Sequence, residues 1–446
     1  MIEQDSISTT RLTRMAALAG TGARVGINYL KHYGKRAISG EADHDALQEK
    51  NAAEVFRVFS ELKGGPLKLA QMLSIDQGLL PPAYARQFSK AQYSAPPLSY
   101  PLVTRTFRRE FGKEPLEMFN EFSRQAAHGA SIGQVHKAQL DGRQLAVKVQ
   151  YPGVADSLRS DLRLIKPIAL QVLGLRESDV ALYFAEVETR LLEETNYVLE
   201  LERSVALSNA STHLKNVRFP VYYPALCSSR ILTMDWVEGM PLDRFADGPA
   251  TQAERDQIGQ ALWDFYAHQI HALRLFHADP HPGNFLIREG QLWVLDFGCT
   301  KAIGETFYHN LFRLLDPALQ NDPARLDEAL RALDILLAGD DVKRCERLTA
   351  LCVRSLDLLA RPFRSATFDF GDPSFMASIY EFGEVNRQDD ELRSMRGRRG
   401  SAESIYLNRA YFGLYSLLSR LRATVRTSPS DLPYGAPVYL NDLQRA

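Results

Sequence analysis

One stretch constrains this chain more than any other: "FHADPHPGNFLIREGQLWVLDFG", from Phe276 to Gly298. Asp279 precedes Asn284 by five positions, and a short strand pair then leads to Asp296-Phe297-Gly298. Asp279 can accept the proton of an attacking hydroxyl or water, while Asn284 and Asp296 offer hard oxygen ligands suited to magnesium. Three oxygen acceptors seldom fall at these spacings by chance. The tripeptide Asp-Phe-Gly recurs at Asp369–Gly371 in "SATFDFGDPSF", with no Asp-x4-Asn upstream and no hairpin before it. Asp296 is therefore the expected metal ligand, and Asp369 is expected to be a structural turn in a loop between helices.

The 446 residues are 45% hydrophobic and 24% charged, ordinary globular values with length for two or three structural units. A formal charge of −1 provides no global field toward nucleic acid, which is not an expected partner. The four cysteines, Cys227, Cys299, Cys345 and Cys352, show no paired metal-type spacing and point to a reducing compartment without disulfides. No stretch approaches the roughly 20 apolar residues that span a bilayer. Glu3 and Asp5 at the start are unlike a secretory signal or an acid-poor transit peptide.

Ser6 to Gly40 contains no acidic residue, while Arg11, Arg14, Arg24, Lys31, Lys35 and Arg36 are basic. Leu12, Met15, Ala16, Ala19, Ala23, Ile27 and Leu30 recur between them at helical spacing. Two readings stand open. A basic amphipathic helix can lie on an anionic membrane. Equally, the helix can pack on its own domain with a solvated basic edge, and Gly20, Gly22 and Gly26 suit close packing.

Residues 45–95 are expected to be helices broken by the proline pairs of "LLPPAY" and "SAPPLSYP", with another helix at about 101–112. From Ala126 to Tyr151 the pattern alternates as in strands, and the turn pair Asp141-Gly142 predicts a hairpin. Helices are expected at about 153–173 and 178–211, and short strands near "VRFPVYY" and "RILTMDWVEG". Thr251-Gln252-Ala253-Glu254 is a capping box opening a helix that should end near Phe276. The fold class expected is α+β. It is bilobal and protein-kinase-like, with a helical extension over 1–120, a β-rich lobe over 121–238 and a helical lobe over 239–446.

On the strand "LAVKVQY", Ala146, Lys148 and Gln150 share one face. A lysine amid valines needs a charged partner if it is enclosed. Before it, "AAHGASIGQVH" places Gly129, Ala130 and Ser131 at the first hairpin. Such small residues either let backbone N–H groups approach phosphates or simply make a tight turn. After Asp296 there is no Ala-Pro-Glu, and "YHNLFRLL" becomes helical within ten residues, so the segment with which protein kinases dock a peptide is missing.

These residues together resemble the UbiB/ADCK (AarF-domain, ABC1-type) family of atypical kinases over nearly the whole chain, and most closely its coenzyme-Q-supporting branch. The family's KxGQ motif is similar to "LKLAQMLS", with Lys68 and Gln71; its alanine-rich loop to "HGASIGQVH"; its catalytic stretch to "ADPHPGN" before "LDFG". "ETNYVLE" is similar to the family's ExDYxxE pattern. The resemblance implies Glu194 as partner of Lys148, and Glu200 facing Lys68. Three departures stand out: Ala70 for glycine, His128-Gly129 for two alanines, and Asn196 for aspartate.

The resemblance further implies ATP (or ADP) with Mg2+ as cofactors and a magnesium-dependent ATPase activity that supports ubiquinone synthesis. It places the protein at a membrane surface: cytoplasmic and peripheral, or on the matrix side of the inner membrane if mitochondrial. Expected partners are nucleotide, an anionic membrane surface, a lipid or quinone-like ligand, quinone-synthesis enzymes and a second copy of the chain. Protein phosphorylation is disfavoured, because the KxGQ extension would cover the cleft. A small-molecule or lipid kinase and a non-catalytic nucleotide-binding scaffold are the competing expectations.

Overall fold

The computed structural model describes residues 44–62, 66, 82–89, 99–130, 132–173, 177, 185, 188–189, 191–388 and 399–427, with helical positions at 16–17, 20–21, 24 and 27–28. It divides into two units. The first runs to Glu202 and takes in Val221–Trp236; the second comprises Arg203–Pro220 and the residues from Val237 onward.

In the first unit, α1 (His44–Leu62) and α2 (Pro82–Ser89) pack through the stacked rings of Phe59 and Phe88, 5.9 Å apart. Arg24 pairs with Glu54 of α1 at 2.7 Å, and the Asn28 amide donates to the buried Asn51 at 2.8 Å. The described part of the basic N-terminal segment is thus held against its own unit, as the packed-helix reading expects.

Next, α3 (Tyr100–Phe111) leads into strands β1 (Glu121–Phe122), β2 (His128–Gly129), β3 (Gly133–Leu140) and β4 (Arg143–Gln150). The helices α4 (Val154–Leu173) and α5 (Tyr197–Ala210) follow. After β5 (Val217–Arg218), which belongs to the second unit, β6 (Ile231–Asp235) closes an antiparallel sheet of order β1-β3-β4-β6, with β2 pairing β3. Asp141 and Gly142 both take positive φ, 50° and 77°, so the expected hairpin turns in two residues whose twist matches its strands. One face of the sheet, with Leu145, Val147 and Val149, packs against Val103 and Phe107 of α3.

The helix expected over 178–211 is interrupted. Helical residues run to Glu194, then Thr195 and Asn196 leave the helix and α5 starts afresh at Tyr197. Asn196 explains the restart: its Oδ1 accepts the Val198 and Leu199 N–H groups at 3.2 and 3.3 Å, as an N-cap does. The break is tied down where Gln150 of β4 donates to the Thr195 carbonyl at 2.9 Å.

The second unit begins with β5 and β7 (Met240–Pro241), which join β9 (Phe285–Arg288) and β10 (Gln291–Val294) in a sheet of order β5-β10-β9-β7. The capping box of Thr251 and Glu254 opens α6 (Gln252–Ala267) as expected. The helix ends earlier than its periodicity suggests. It loosens into a π-helical turn at His268–Leu273, Arg274 takes a φ of 53°, and Phe276 sits in strand β8 (Leu275–His277) against β11 (Thr300–Ala302).

Then come α7 (Glu305–Phe312), α8 (Pro323–Ala332), α9 (Val342–Leu359), β12 (Thr367–Asp369), α10 (Pro373–Gln388), α11 (Ala402–Leu421) and β13 (Thr424–Arg426). Asp369 therefore ends a strand paired with β13, where a loop between helices was expected. All four cysteines are free. The core of the unit gathers Leu262, Phe265 and Tyr266 of α6, Phe285 and Leu292 of the hairpin, and Leu414 and Leu418 of α11.

Glycine chemistry tests this packing. A Cβ on Gly259 of α6 would lie 2.3 Å from the Ala423 Cβ, whereas one on Gly383 of α10 meets nothing within 4 Å. Gly259→Ala is expected to lower stability by about 1–3 kcal/mol through overpacking. Gly383→Ala should raise it by about 0.5–1 kcal/mol through helix propensity. Denaturant midpoints of the two variants check the pair; equal shifts would contradict the packing of α6 on the Ala423 segment.

Candidate functional site

Lys148 sits at the centre of β4, opposite Val135 of β3 and Leu232 of β6. Paired residues in an antiparallel sheet share a face, so Lys148 projects from the side away from α3. Its side chain is nearly enclosed, and its Nζ donates to Glu200 Oε1 at 2.7 Å. The ammonium also lies 4.9 Å from the Tyr197 ring centroid, a cation–π contact. An enclosed charge of this kind is tolerated only when paired and hydrogen-bonded.

The partner differs from the one expected. Glu194 was assigned to Lys148 and Glu200 to Lys68; the ion pair shown for Lys148 is with Glu200. The physical reason is the break at Thr195–Asn196. Glu194 closes the preceding helical stretch, whereas Glu200 lies in the first turn of α5, on the helix that carries Tyr197 to the lysine. Glu194 is also buried, at 9% exposure. Lys68, Ala70 and Gln71 lie outside the described residues, as does Ser131.

The loop before β3 is a tight turn. The Ala130 N–H donates to the Gly133 carbonyl at 2.8 Å, and the Tyr151 N–H to the Ile132 carbonyl at 2.9 Å. Gly133 is required there, because a Cβ would fall 2.6 Å from the Val149 carbonyl oxygen and 2.8 Å from the Tyr197 hydroxyl. Gly129 and Ala130 are placed at the tip of the β2–β3 hairpin. Beside them the exposed His128 ring stacks on Trp236 at 5.9 Å and 12°, and Lys137 places its ammonium 5.2 Å from the Trp236 ring centroid. Desolvation of the ring on its covered side holds the His128 pKa below its ordinary value.

In the second unit β8 delivers the chain to Asp279. The Ala278 N–H donates to the Cys299 carbonyl at 2.7 Å, which ties the loop to the segment after Asp296. The Asp279 carbonyl accepts the His281 N–H at 2.7 Å and the Asn284 side-chain amide at 3.0 Å. The Leu295 N–H closes on the Asn284 carbonyl at 3.0 Å. Asp279, Asn284 and Asp296 are therefore bound into one backbone unit. The Asp279 carboxylate itself is met by Arg409 of α11, with Nη2 3.2 Å from Oδ1. Tyr266 in the floor of this region is fully buried; burial, and then the charge of Asp279, push its phenol well above the usual range.

Asp296 folds its Oδ1 onto the Gly298 N–H at 2.7 Å. Phe297 is buried among Phe219, Phe265 and His277, which anchors the tripeptide. The second tripeptide makes the same local turn, Asp369 Oδ1 to Gly371 N–H at 2.8 Å, and buries its Phe370 equally. The two copies thus share conformation and differ in surroundings: only Asp296 is joined to an Asp-x4-Asn loop.

Among the described residues no group of three His, Cys, Asp or Glu side chains could cage a metal. Magnesium keeps water and takes one or two protein oxygens plus substrate phosphates. Asn284 Oδ1 and the Asp296 carboxylate are oxygen donors of that kind, so the residues present fit the ion. Lys148 aside, the cations and aromatics beside the candidate residues of each unit escaped sequence reasoning. Tyr197 stood within "ETNYVLE" and was legible as a large apolar residue at a helix start; Trp236 and Arg409 gave no local signal.

A family model for the ABC1 atypical kinase-like domain matches residues 90–330. The chain is 28% identical to the atypical kinase COQ8B, mitochondrial, of Rattus norvegicus over 94% of this chain and 79% of that protein. It is 30% identical to the atypical kinase coq-8, mitochondrial, of Caenorhabditis elegans over 95% of this chain and 57% of that protein. Among solved structures it is similar to Rv3197 of Mycobacterium tuberculosis, determined as a complex with erythromycin. The TM-score is 0.60 and the identity 27%, covering 88% of this chain and 98% of that one.

The enclosed ion pair makes a direct prediction. Glu200→Ala leaves the Lys148 ammonium without its carboxylate and is expected to cost about 3–5 kcal/mol of stability. Lys148→Met combined with Glu200→Leu should recover most of that loss, because both charges are then gone. Urea denaturation of the single and double variants checks it; losses that simply add would contradict the pairing.

Proposed function

Since the chain belongs to the ABC1 atypical kinase-like family, we propose that it binds ATP or ADP with magnesium, hydrolyses ATP and thereby supports coenzyme Q synthesis at a membrane surface. One observation carries the proposal: a strand lysine enclosed by a helix glutamate, on a chain that also builds the Asp279–Asn284 loop onto Asp296. In this reading Lys148 meets the α/β-phosphates and Glu200 fixes its direction. Gly129, Ala130 and Ser131 bring small residues and backbone toward the phosphates, and Asn284 and Asp296 hold magnesium. Bound there, the ion would neutralise charge on the phosphate oxygens. Asp279 orients the attacking water and takes its proton.

Water is favoured as acceptor over a peptide hydroxyl for a structural reason. Only Cys299–Gly304 separate Asp296-Phe297-Gly298 from α7, which begins at Glu305. That leaves no room for a peptide-docking segment. A small molecule or lipid as acceptor is the second reading, supported by the same short segment and by the solved relative's complex with erythromycin. The names of the COQ8 relatives support the quinone link and a mitochondrial-type setting for them. Among the described residues no helix is long and apolar enough to cross a membrane. An anionic membrane surface, a lipid or quinone-like ligand, quinone-synthesis enzymes and a second copy of the chain are the partners proposed. Lys68 and Gln71 are proposed to form the lid over the site, with Glu200 as the acid they face.

Asp296→Asn is expected to abolish magnesium-dependent thermal stabilisation by nucleotide and to stop phosphate release, whereas Asp369→Asn leaves both intact. Anionic vesicles should raise phosphate release by the unaltered chain, and label from γ-phosphate should appear as free phosphate rather than on added protein. Equal losses from the two aspartate substitutions, or ready labelling of added protein, would contradict the proposal.

A further inference from the structure

The loop from Asp279 to Asn284, "DPHPGN", contains no lysine or arginine, so it has no permanent cation of its own to direct its acidic side chain. Within the loop, the His281 N–H and the Asn284 side-chain amide converge on the Asp279 carbonyl, and His281 Nδ1 accepts the Gly283 N–H at 3.0 Å. The carboxylate is also met from far along the chain. Arg409 of α11 places Nη2 3.2 Å from Asp279 Oδ1, and the two side chains are only 14% and 18% exposed. An ion pair so sheltered is screened far less than a surface pair and fixes the direction of the carboxylate.

The helix is fitted to this loop at a second point. Gly413 lies one turn beyond Arg409 on the same face, and a Cβ there would sit 2.1 Å from the Pro280 Cγ. Only glycine lets α11 approach so closely. Near the start of the helix, Glu403 accepts the Gly304 N–H at 2.8 Å, and Lys301 places its ammonium 5.0 Å from the Tyr406 ring centroid. Glu403, Tyr406, Arg409 and Gly413 recur at helical spacing, so one stripe of α11 touches both the Asp279 loop and the segment after Asp296.

We propose that Arg409 is a positioning residue for the reaction: α11 acts as a splint, and its arginine holds the Asp279 carboxylate in the orientation that meets the attacking oxygen. The inference rests on the phosphoryl-transfer reading of the loop. Arg409 acts through Asp279 and does not bind nucleotide.

The test is a double-substitution cycle on the full chain with magnesium and ATP, reading kcat, KM and nucleotide affinity. Arg409→Met should lower kcat by about 10–100-fold, the usual scale for a residue that orients a functional group. KM and nucleotide affinity should stay within about twofold of the unaltered chain. Arg409→Lys should restore part of the turnover, since a cation returns without the planar fork. On an Asp279→Asn background, Arg409→Met should change kcat by no more than about twofold, because the group it orients is gone. The same fold loss on both backgrounds, or affinity falling in step with kcat, would overturn the proposal as a merely structural effect. Asp296→Asn separates the two levels. If it leaves turnover untouched, the phosphoryl-transfer reading falls and takes the splint with it; if it abolishes turnover while Arg409→Met does nothing, the splint alone is wrong. Should Arg409→Met not fold, Arg409→Lys decides in the same way, through a kcat loss that vanishes on the Asp279→Asn background.

Discussion

An ammonium group in the middle of a β-strand, walled in by apolar neighbours, sets the terms for the first unit. Lys148 is tolerable there because Glu200 reaches it at 2.7 Å and Tyr197 lends a ring face. Both come from the first turn of one helix, which begins at Tyr197. Asn196 supplies the cap, Gln150 on the same strand pins the break, and Gly133 makes room for the Tyr197 hydroxyl. Turn, strand, cap and helix are therefore consequences of housing one charge. Replacing the pair with apolar residues would often cost little stability. Its retention here points to a requirement for a directed cation rather than for stability.

The second unit solves a different problem, which is holding acidic side chains steady in a loop without regular structure. Backbone bonds close the loop on itself, β8 and β11 clamp its two ends, and Phe297 nails the Asp-Phe-Gly turn into the core. α11 adds a rigid rod along one side. The two Asp-Phe-Gly copies show how little the tripeptide says alone. Each makes the same aspartate-to-glycine turn and buries its phenylalanine, yet one closes an Asp-x4-Asn loop and the other ends a strand paired with β13.

What was legible in the sequence follows interaction range. Asp141-Gly142 makes a two-residue turn with positive φ, a property of those residues themselves, and the Thr251–Glu254 box is equally local. The Asp279–Asn284–Asp296 unit was visible because all three positions lie within twenty residues of one another. The pairing of Lys148 with Glu200 was not foreseen, since seeing it required recognising that Asn196 starts a new helix rather than sitting inside an old one. The early end of α6 was hidden because apolar spacing continues through the π-helical turn into β8. Pairing of β12 with β13 joins residues far apart in the chain, and so does Arg409 with Asp279; no local pattern announces either.

Equilibrium binding of magnesium and ATP, measured by titration calorimetry on the unaltered chain, Lys148→Met, Glu200→Gln and the double variant, tests the account at its centre. If Glu200 directs the lysine toward phosphate, either single change weakens affinity strongly, and the second change adds almost nothing once the first is made. Losses that add in full, or a Glu200→Gln variant that binds like the unaltered chain, would contradict the assignment of the pair to nucleotide.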